Sequence, residues 1–423
     1  MTTRGRASAL MLALAGWVAA CGAATPSQQP PSLRDPVTSA ARPSATPSLA
    51  ASPRPVRPSP GASREPAGDL GRELEVWSLD PAWTQPMLEF ASTGDAIIFS
   101  SGVADGPNVE YAPDLWRYDP AAPKPELLWQ NPQRDRVLAR IGGEFDTVAF
   151  VDMPVTGERA WDFWLLPEAG ADPILLDTHP GDKSVPDFIP SFSIHQDQVA
   201  WTSFDRGSSG AVSQLLYARA PAWQPLIVAE RDAAISELWL PSLRDTQIAY
   251  CEIVYSADRS TDERHVYLAD AAHPEIAPRR LDSSGRATMP LLMLNGGVVW
   301  KEADPGFSMF NWGKLFRYDE ATGEVTSVPM SPQEYVNYPS AGTRFIAAWG
   351  AESGVFGVYD RDLRASRLID RWPTATDVAI LRPHISGDLL VWLHAEGDGL
   401  GAGPLPEIRY AYLPPAGGDR GGD

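Results

Sequence analysis

From residue 86 onward the chain repeats one hydrophobic signature, a short apolar run closed by an aromatic residue. The copies are Ala96–Phe99, Thr147–Phe150, Gln198–Trp201, Gln247–Tyr250, Gly297–Trp300, Ile346–Trp349 and Leu389–Trp392. Their aromatics are spaced 51, 51, 49, 50, 49 and 43 residues apart. A fixed period of this size marks a repeat architecture and outranks any local motif. Each run leads through a loop to a second stretch with period-two alternation: Leu115–Asp119, Phe163–Leu166, Leu215–Ala218, Val266–Asp270, Leu315–Asp319, Val355–Asp360 and Ile408–Tyr412. Alternation rich in β-branched and aromatic residues predicts strands. A third strand is predicted in segments such as Pro173–Leu176, Arg279–Leu281 and Ser366–Ile369. A further strand precedes each aromatic run, around Pro86, Pro190, Pro241, Pro290, Pro339 and Pro383, with Val137 in the second repeat.

Four antiparallel strands per unit and seven units predict an all-β fold, a seven-bladed β-propeller of four-stranded antiparallel blades over residues 69–415. The last unit stops near Pro414 after three strands, and Glu73–Leu79 has the pattern of the missing outermost strand. Pairing the two is expected to close the ring and remove an exposed edge. No Trp-Asp dipeptide ends the third strands, and paired glycines do not recur in every unit, which argues against WD40 and Kelch repeats. The hairpin Pro190-Ser191-Phe192-Ser193-Ile194-His195-Gln196-Asp197 instead resembles the TolB-like or PD40 propeller repeat. In the other units its Asp-Gly turn has drifted to Gly94-Asp95, Gly387-Asp388 or Asn295-Gly296. The resemblance implies the fold and carries no particular activity.

The beginning of the chain reads differently. Arg4 and Arg6 precede an apolar stretch, Ala7–Val18, too short to span a bilayer. It ends in Val18-Ala19-Ala20-Cys21, which resembles the lipobox of bacterial lipoproteins. The resemblance implies a signal peptide over 1–20, acylation of the Cys21 thiol and stable membrane attachment. Residues 22–68 hold eleven Pro and no aromatic residue, and predict a disordered tether over 21–68 with polyproline character. Its five Arg against Asp35 and Glu65 make it locally basic. Residues 416–423 read as a disordered tail. Together these features predict an exported protein held on the bacterial cell envelope.

The formal net charge is −19, with only four Lys. Such a balance repels phosphate backbones and excludes nucleic acid as a partner class. The sequence contains no Gly-x-Ser-x-Gly elbow, no His-Glu-x-x-His and no phosphate-binding glycine loop. The six His are scattered, and Cys251 lies inside a predicted strand, where it reads as a small buried apolar residue. No cofactor, metal site or catalytic residue is expected, and a monomer is. Function is expected on the long loops, which antiparallel order gathers on one face. There Phe307, Phe310 and Trp312 offer stacking surface for a partner. Asp187, Glu237, Glu334 and Asp377, each just before an inner strand, form a candidate rim for a cation or a basic partner. The reading is a binding or scaffolding propeller for a protein or glycan, the alternative a propeller-type polysaccharide lyase or hydrolase.

Overall fold

The computed structural model describes residues 76–80, 83, 89–101, 113–155, 160–181, 189–207, 210–259, 261–292, 296–303, 312–330, 335–342, 344–350, 355–361, 365–371, 383–394 and 407–413. Every named element within them is a β-strand. After β1 (Trp77–Ser78), the strands β2 (Phe90–Ser92), β3 (Ile97–Ser101), β4 (Asp114–Tyr118) and β5 (Glu126–Trp129) form one four-stranded sheet. The second holds β6 (Arg136–Glu144), β7 (Thr147–Pro154), β8 (Trp161–Leu166) and β9 (Ile174–His179). The third holds β10 (Phe192–His195), β11 (Gln198–Gly207), β12 (Gly210–Arg219) and β13 (Leu226–Asp232). The fourth holds β14 (Ser236–Arg244), β15 (Gln247–Tyr255), β16 (Asp262–Asp270) and β17 (Arg279–Arg280).

An eight-stranded sheet follows: β18 (Ala287–Leu292), β19 (Val298–Ala303), β20 (Gly313–Tyr318), β21 (Val325–Val328), β22 (Val336–Ala341), β23 (Phe345–Gly350), β24 (Val355–Asp360) and β25 (Ala365–Arg371). Within it β20 pairs with β21 over four residues and with β22 through the single pair Gly313 and Val336. The last sheet runs in the order β1, β28 (Glu407–Tyr412), β27 (Leu389–His394), β26 (His384–Ser386). All of these pairings are antiparallel, including Trp77 opposite Tyr410 in the first and last named strands.

The aromatic that closes each apolar run is the centre of the packing. Phe99, Phe150, Trp201, Tyr250, Trp300, Trp349 and Trp392 are all buried. Each lies in a cluster that joins its own sheet to an adjacent one. Trp201 of β11 packs on Phe163 of β8 at 5.7 Å between ring centroids, and Trp392 of β27 packs on Phe356 of β24 at 5.4 Å. The fifty-residue period fits sheets that each cover one face of a neighbour. At the joint between β18–β21 and β22–β25 the place is filled by Ile346 and Ala348, because Trp349 clusters instead with Trp392 and its strand β27.

The first strand of each group of four meets the first strand of the next, from β2 and β6 through β22 and β26, and β26 in turn meets β2. Apart from the single pair that β22 makes with β20, these strands pair on one side, and at three of their open edges a serine accepts from the next first strand. Ser193 Oγ accepts from Leu243 N at 3.0 Å, Ser242 Oγ from Leu292 N at 2.8 Å and Ser340 Oγ from Ile385 N at 3.0 Å. Their cross-strand partners are Ala200, Ala249 and Ala347. The same register position is Gly142 in β6, opposite Ala149. A Cβ there would come within 2.8 Å of Phe192 Cε2, so the neighbouring ring takes the space that serine fills elsewhere.

Three of the recurrent prolines have a structural reason. In β14, β18 and β22 the register shifts between Trp239 and Ser242, Thr288 and Leu291, and Asn337 and Ser340. At each shift the residue before the proline has positive φ: Leu240 at 52°, Met289 at 52° and Tyr338 at 45°. A bulge leaves the ladder interrupted, so Pro241, Pro290 and Pro339 cost no hydrogen bond.

Candidate functional site

Antiparallel order within the sheets divides the connections between two ends. The hairpins from first to second strand (for example β2 to β3) are tight and lie at one end, the turn face. The connections from second to third strand, and from one sheet to the next, lie at the other, the loop face. Function was expected at the loop face, and the described residues there are largely charged and paired.

Asp114, wholly buried at the start of β4, forms a two-point ion pair with Arg134, one contact being Nη2 to Oδ2 at 3.0 Å. Asn131 N donates to the same carboxylate at 3.1 Å, while its side-chain amide donates to Asp152 at 3.0 Å. Asp152 also accepts from Arg136 Nε at 2.6 Å, and Arg136 reaches on to Asp162 at 2.8 Å. The cluster therefore ties the first sheet to the second. Burial pushes the Asp152 carboxyl up to about 6, against the attraction of Arg136. Farther round, Glu252 is buried and accepts from Arg231 at 2.8 Å and Ser236 Oγ at 3.0 Å. Lys301 is wholly buried on β19, with Nζ donating to Asn337 Oδ1 of β22 at 2.7 Å. None of these groups was singled out from the sequence. Their signal, an acid near the end of a strand with Arg 16 to 26 positions away, is common in loops of any acidic protein.

Of the predicted rim, Glu237 is buried on β14, accepting from the Trp239 indole Nε1 at 3.1 Å and from Arg259 at 3.4 Å. Tyr255 also bonds this carboxylate, and burial first, then Glu237, raises its hydroxyl above the ordinary range. Asp187, Glu334 and Asp377 lie outside the described residues, as do Phe307, Phe310 and Cys21. Trp312 is described, half-buried just ahead of β20. Among the described residues no three His, Cys, Asp or Glu come together in a way that would hold a metal ion. Cys251 is buried, its Sγ against Ala287 O at 3.5 Å, and burial pushes the thiol up to about 12.

The turn face holds a second set of contacts, between hairpins of different sheets. Arg117 spans Asp95 at 3.1 Å and Asp146 at 2.8 Å, and Arg244 of β14 meets Glu320 at 2.8 Å. His195, which ends β10 beside its hairpin, is buried between Glu144 and Asp245.

No protein-family model matches the sequence, and no curated protein matches it. Solved structures do. An oligogalacturonate lyase in complex with manganese superposes with a TM-score of 0.52 at 11% identity, over 82% of this chain and 95% of that one. The oligogalacturonate lyase of Vibrio parahaemolyticus gives a TM-score of 0.51 at 10% identity, over 82% and 95%. The fold is that of a β-propeller. At such identities the likeness extends to the fold alone. In propeller terms each four-stranded sheet is a blade, with β2, β6, β10, β14 and β26 innermost.

Proposed function

We propose that the chain is an exported lipoprotein, acylated at Cys21 and carried on the 21–68 tether, whose residues 69–415 form a closed seven-bladed propeller that binds a protein or glycan partner at the cell envelope. The seven-blade reading is supported by the single residue pair between β20 and β22, a joint too thin to make one blade of eight strands. Closure is supported by the pairing of β1 with β28 and by Ser92 Oγ donating to Leu389 O at 3.2 Å.

The observation that carries the binding reading is the pairing of charge on the loop face. Asp114 with Arg134, Asp152 with Arg136, and Glu237 with Arg259 neutralise one another within the frame. Carboxylates held in this way rigidify blades and leave recognition to the loops above them. The Phe307–Trp312 loop is the first candidate surface, and the remaining rim carboxylates, Asp187, Glu334 and Asp377, the second. The test is affinity capture from native envelope with the lipid-free domain and its F310A/W312A variant. A partner retained by the wild type and lost by the equally stable variant supports the reading; an empty wild-type bait overturns it. Fatty-acid labelling that fails on the wild type, or persists in C21S, overturns the anchor.

A second reading is a propeller-type polysaccharide lyase, favoured by the fold of the two lyases. A net charge of −19 opposes binding of a polyanion such as oligogalacturonate. Formation of unsaturated product from that substrate with added manganese, followed by ultraviolet absorbance, would replace the binding reading with this one.

A further inference from the structure

We propose that His195 is a protonation-dependent staple tying three consecutive blades together on the turn face. His195 ends β10, the inner strand of the third blade, and its side chain is 7% exposed. Its Nδ1 faces Glu144 Oε2 of the second blade at 3.1 Å, and its Nε2 faces Asp245 Oδ1 of the fourth at 3.5 Å. Both ring nitrogens thus point at carboxylates belonging to different blades. A neutral imidazole has one N–H and one lone pair, so only the imidazolium donates in both directions.

The two arms differ in strength. Glu144 is 13% exposed and its Oε2 also accepts from Gln196 N at 2.7 Å, so it is held in place. Asp245 is 74% exposed, and it occupies a hairpin with φ of 52°. On deprotonation the remaining proton stays toward Glu144. The lone pair on Nε2 then repels Asp245, which turns to water and frees the β14–β15 hairpin from the third blade. Cations in the neighbouring turns are engaged elsewhere: Arg244 with Glu320 and Gln247, and Arg219 with Asp197. Glu144 and Asp245 are therefore the charges that face the ring. Hydrogen bonding to Glu144 outweighs burial and raises His195 above the ordinary imidazole range, with both carboxylates contributing. A group raised in the folded state contributes stability that is fully present below about 6.5 and is lost as pH rises through its folded value. His265 also lies between two carboxylates, Asp282 and Glu263, but all three belong to one blade and tie nothing across blades.

The experiment follows the His195 ring by NMR across pH 5 to 9 in the full chain, beside E144Q and D245N. Protection of the hairpin amides at 244–247, corrected for intrinsic exchange rates, is measured on the same samples and on H195Q. The expected result is a titration above the ordinary imidazole value, lowered by each carboxylate substitution. A lowering of one pH unit corresponds to a tenfold loss in proton affinity. Hairpin protection falls through the same titration in the wild type and is flat with pH in H195Q. A ring that titrates at the ordinary value, or is indifferent to both carboxylate substitutions, overturns the proposal. So does hairpin protection with the same pH dependence in H195Q. Should H195Q fail to fold, the E144Q and D245N shifts decide alone.

Discussion

Trp201 is the most informative single position for testing how one blade holds the next. Its ring is wholly buried against Phe163 and Phe192 of the second and third blades, and its Nε1 donates to Asp177 Oδ2 of the second blade at 2.9 Å. Trp201→Phe keeps an aromatic ring in place but removes the five-membered ring and the donor. Complete truncation of a buried Trp costs about 3–5 kcal/mol, so the partial loss of volume should cost about 1–2. A hydrogen bond to a charged group adds about 1.5–2 kcal/mol, the low end because Asp177 is half-buried and keeps the Thr178 N donor at 2.8 Å. The expected total is about 3 kcal/mol near pH 7, read from chemical denaturation.

The sign with pH follows from Asp177. Burial already raises its carboxyl above the ordinary range, and the Trp201 donor opposes that rise. A raised carboxylate destabilises the fold above its folded pKa, and protonation relieves the penalty as pH falls. Removing the indole donor raises Asp177 further, so the cost of Trp201→Phe should be largest at pH 7 and about 1 kcal/mol smaller where Asp177 is protonated. Combined with Asp177→Asn, the two changes should be less than additive by a similar amount. An equal cost at both pH values, together with strict additivity, would refute the hydrogen bond as a source of inter-blade stability.

Two further predictions concern closure of edges. Ser242→Ala should cost about 1–2 kcal/mol by leaving the Leu292 N–H of the next blade without its acceptor, while Ser327→Ala on the exposed outer strand β21 should change the denaturation midpoint little. Deleting residues 73–79 removes the pairing of Trp77 and Ser78 with β28 and the 5.5 Å stack of Trp77 on Tyr410. It should lower the melting temperature of the whole propeller relative to a deletion of 22–60, and equal midpoints for the two deletions would refute closure by this segment.

Much of the frame was legible from the chain alone. The apolar runs that end in Phe99, Trp201 or Trp392 fall on second strands, and the four-stranded antiparallel order is as the alternation predicts. That information is local: burial on both faces of a blade forces a continuous apolar run, and burial on alternate faces forces period two, so the pattern survives without knowledge of neighbours. The recurrence of proline before these runs was visible as well, but its cause was not. A bulge is defined by two strands in register, and Pro241, Pro290 and Pro339 acquire their meaning only beside the partners that skip them.

The contacts that join blades were decided by tertiary structure. Ser193, Ser242 and Ser340 are ordinary serines in sequence, and become caps because the next inner strand brings an unpaired N–H to each. Glu237 read as a rim carboxylate because position alone does not reveal that Trp239 and Arg259 converge on it. His195 is one of six scattered histidines in sequence, because Glu144 and Asp245 lie about fifty positions away on either side. A period of fifty residues specifies what each blade is made of. Which side chains meet across the gap depends on the angle and distance between blades, and those arise only when the aromatic interfaces pack.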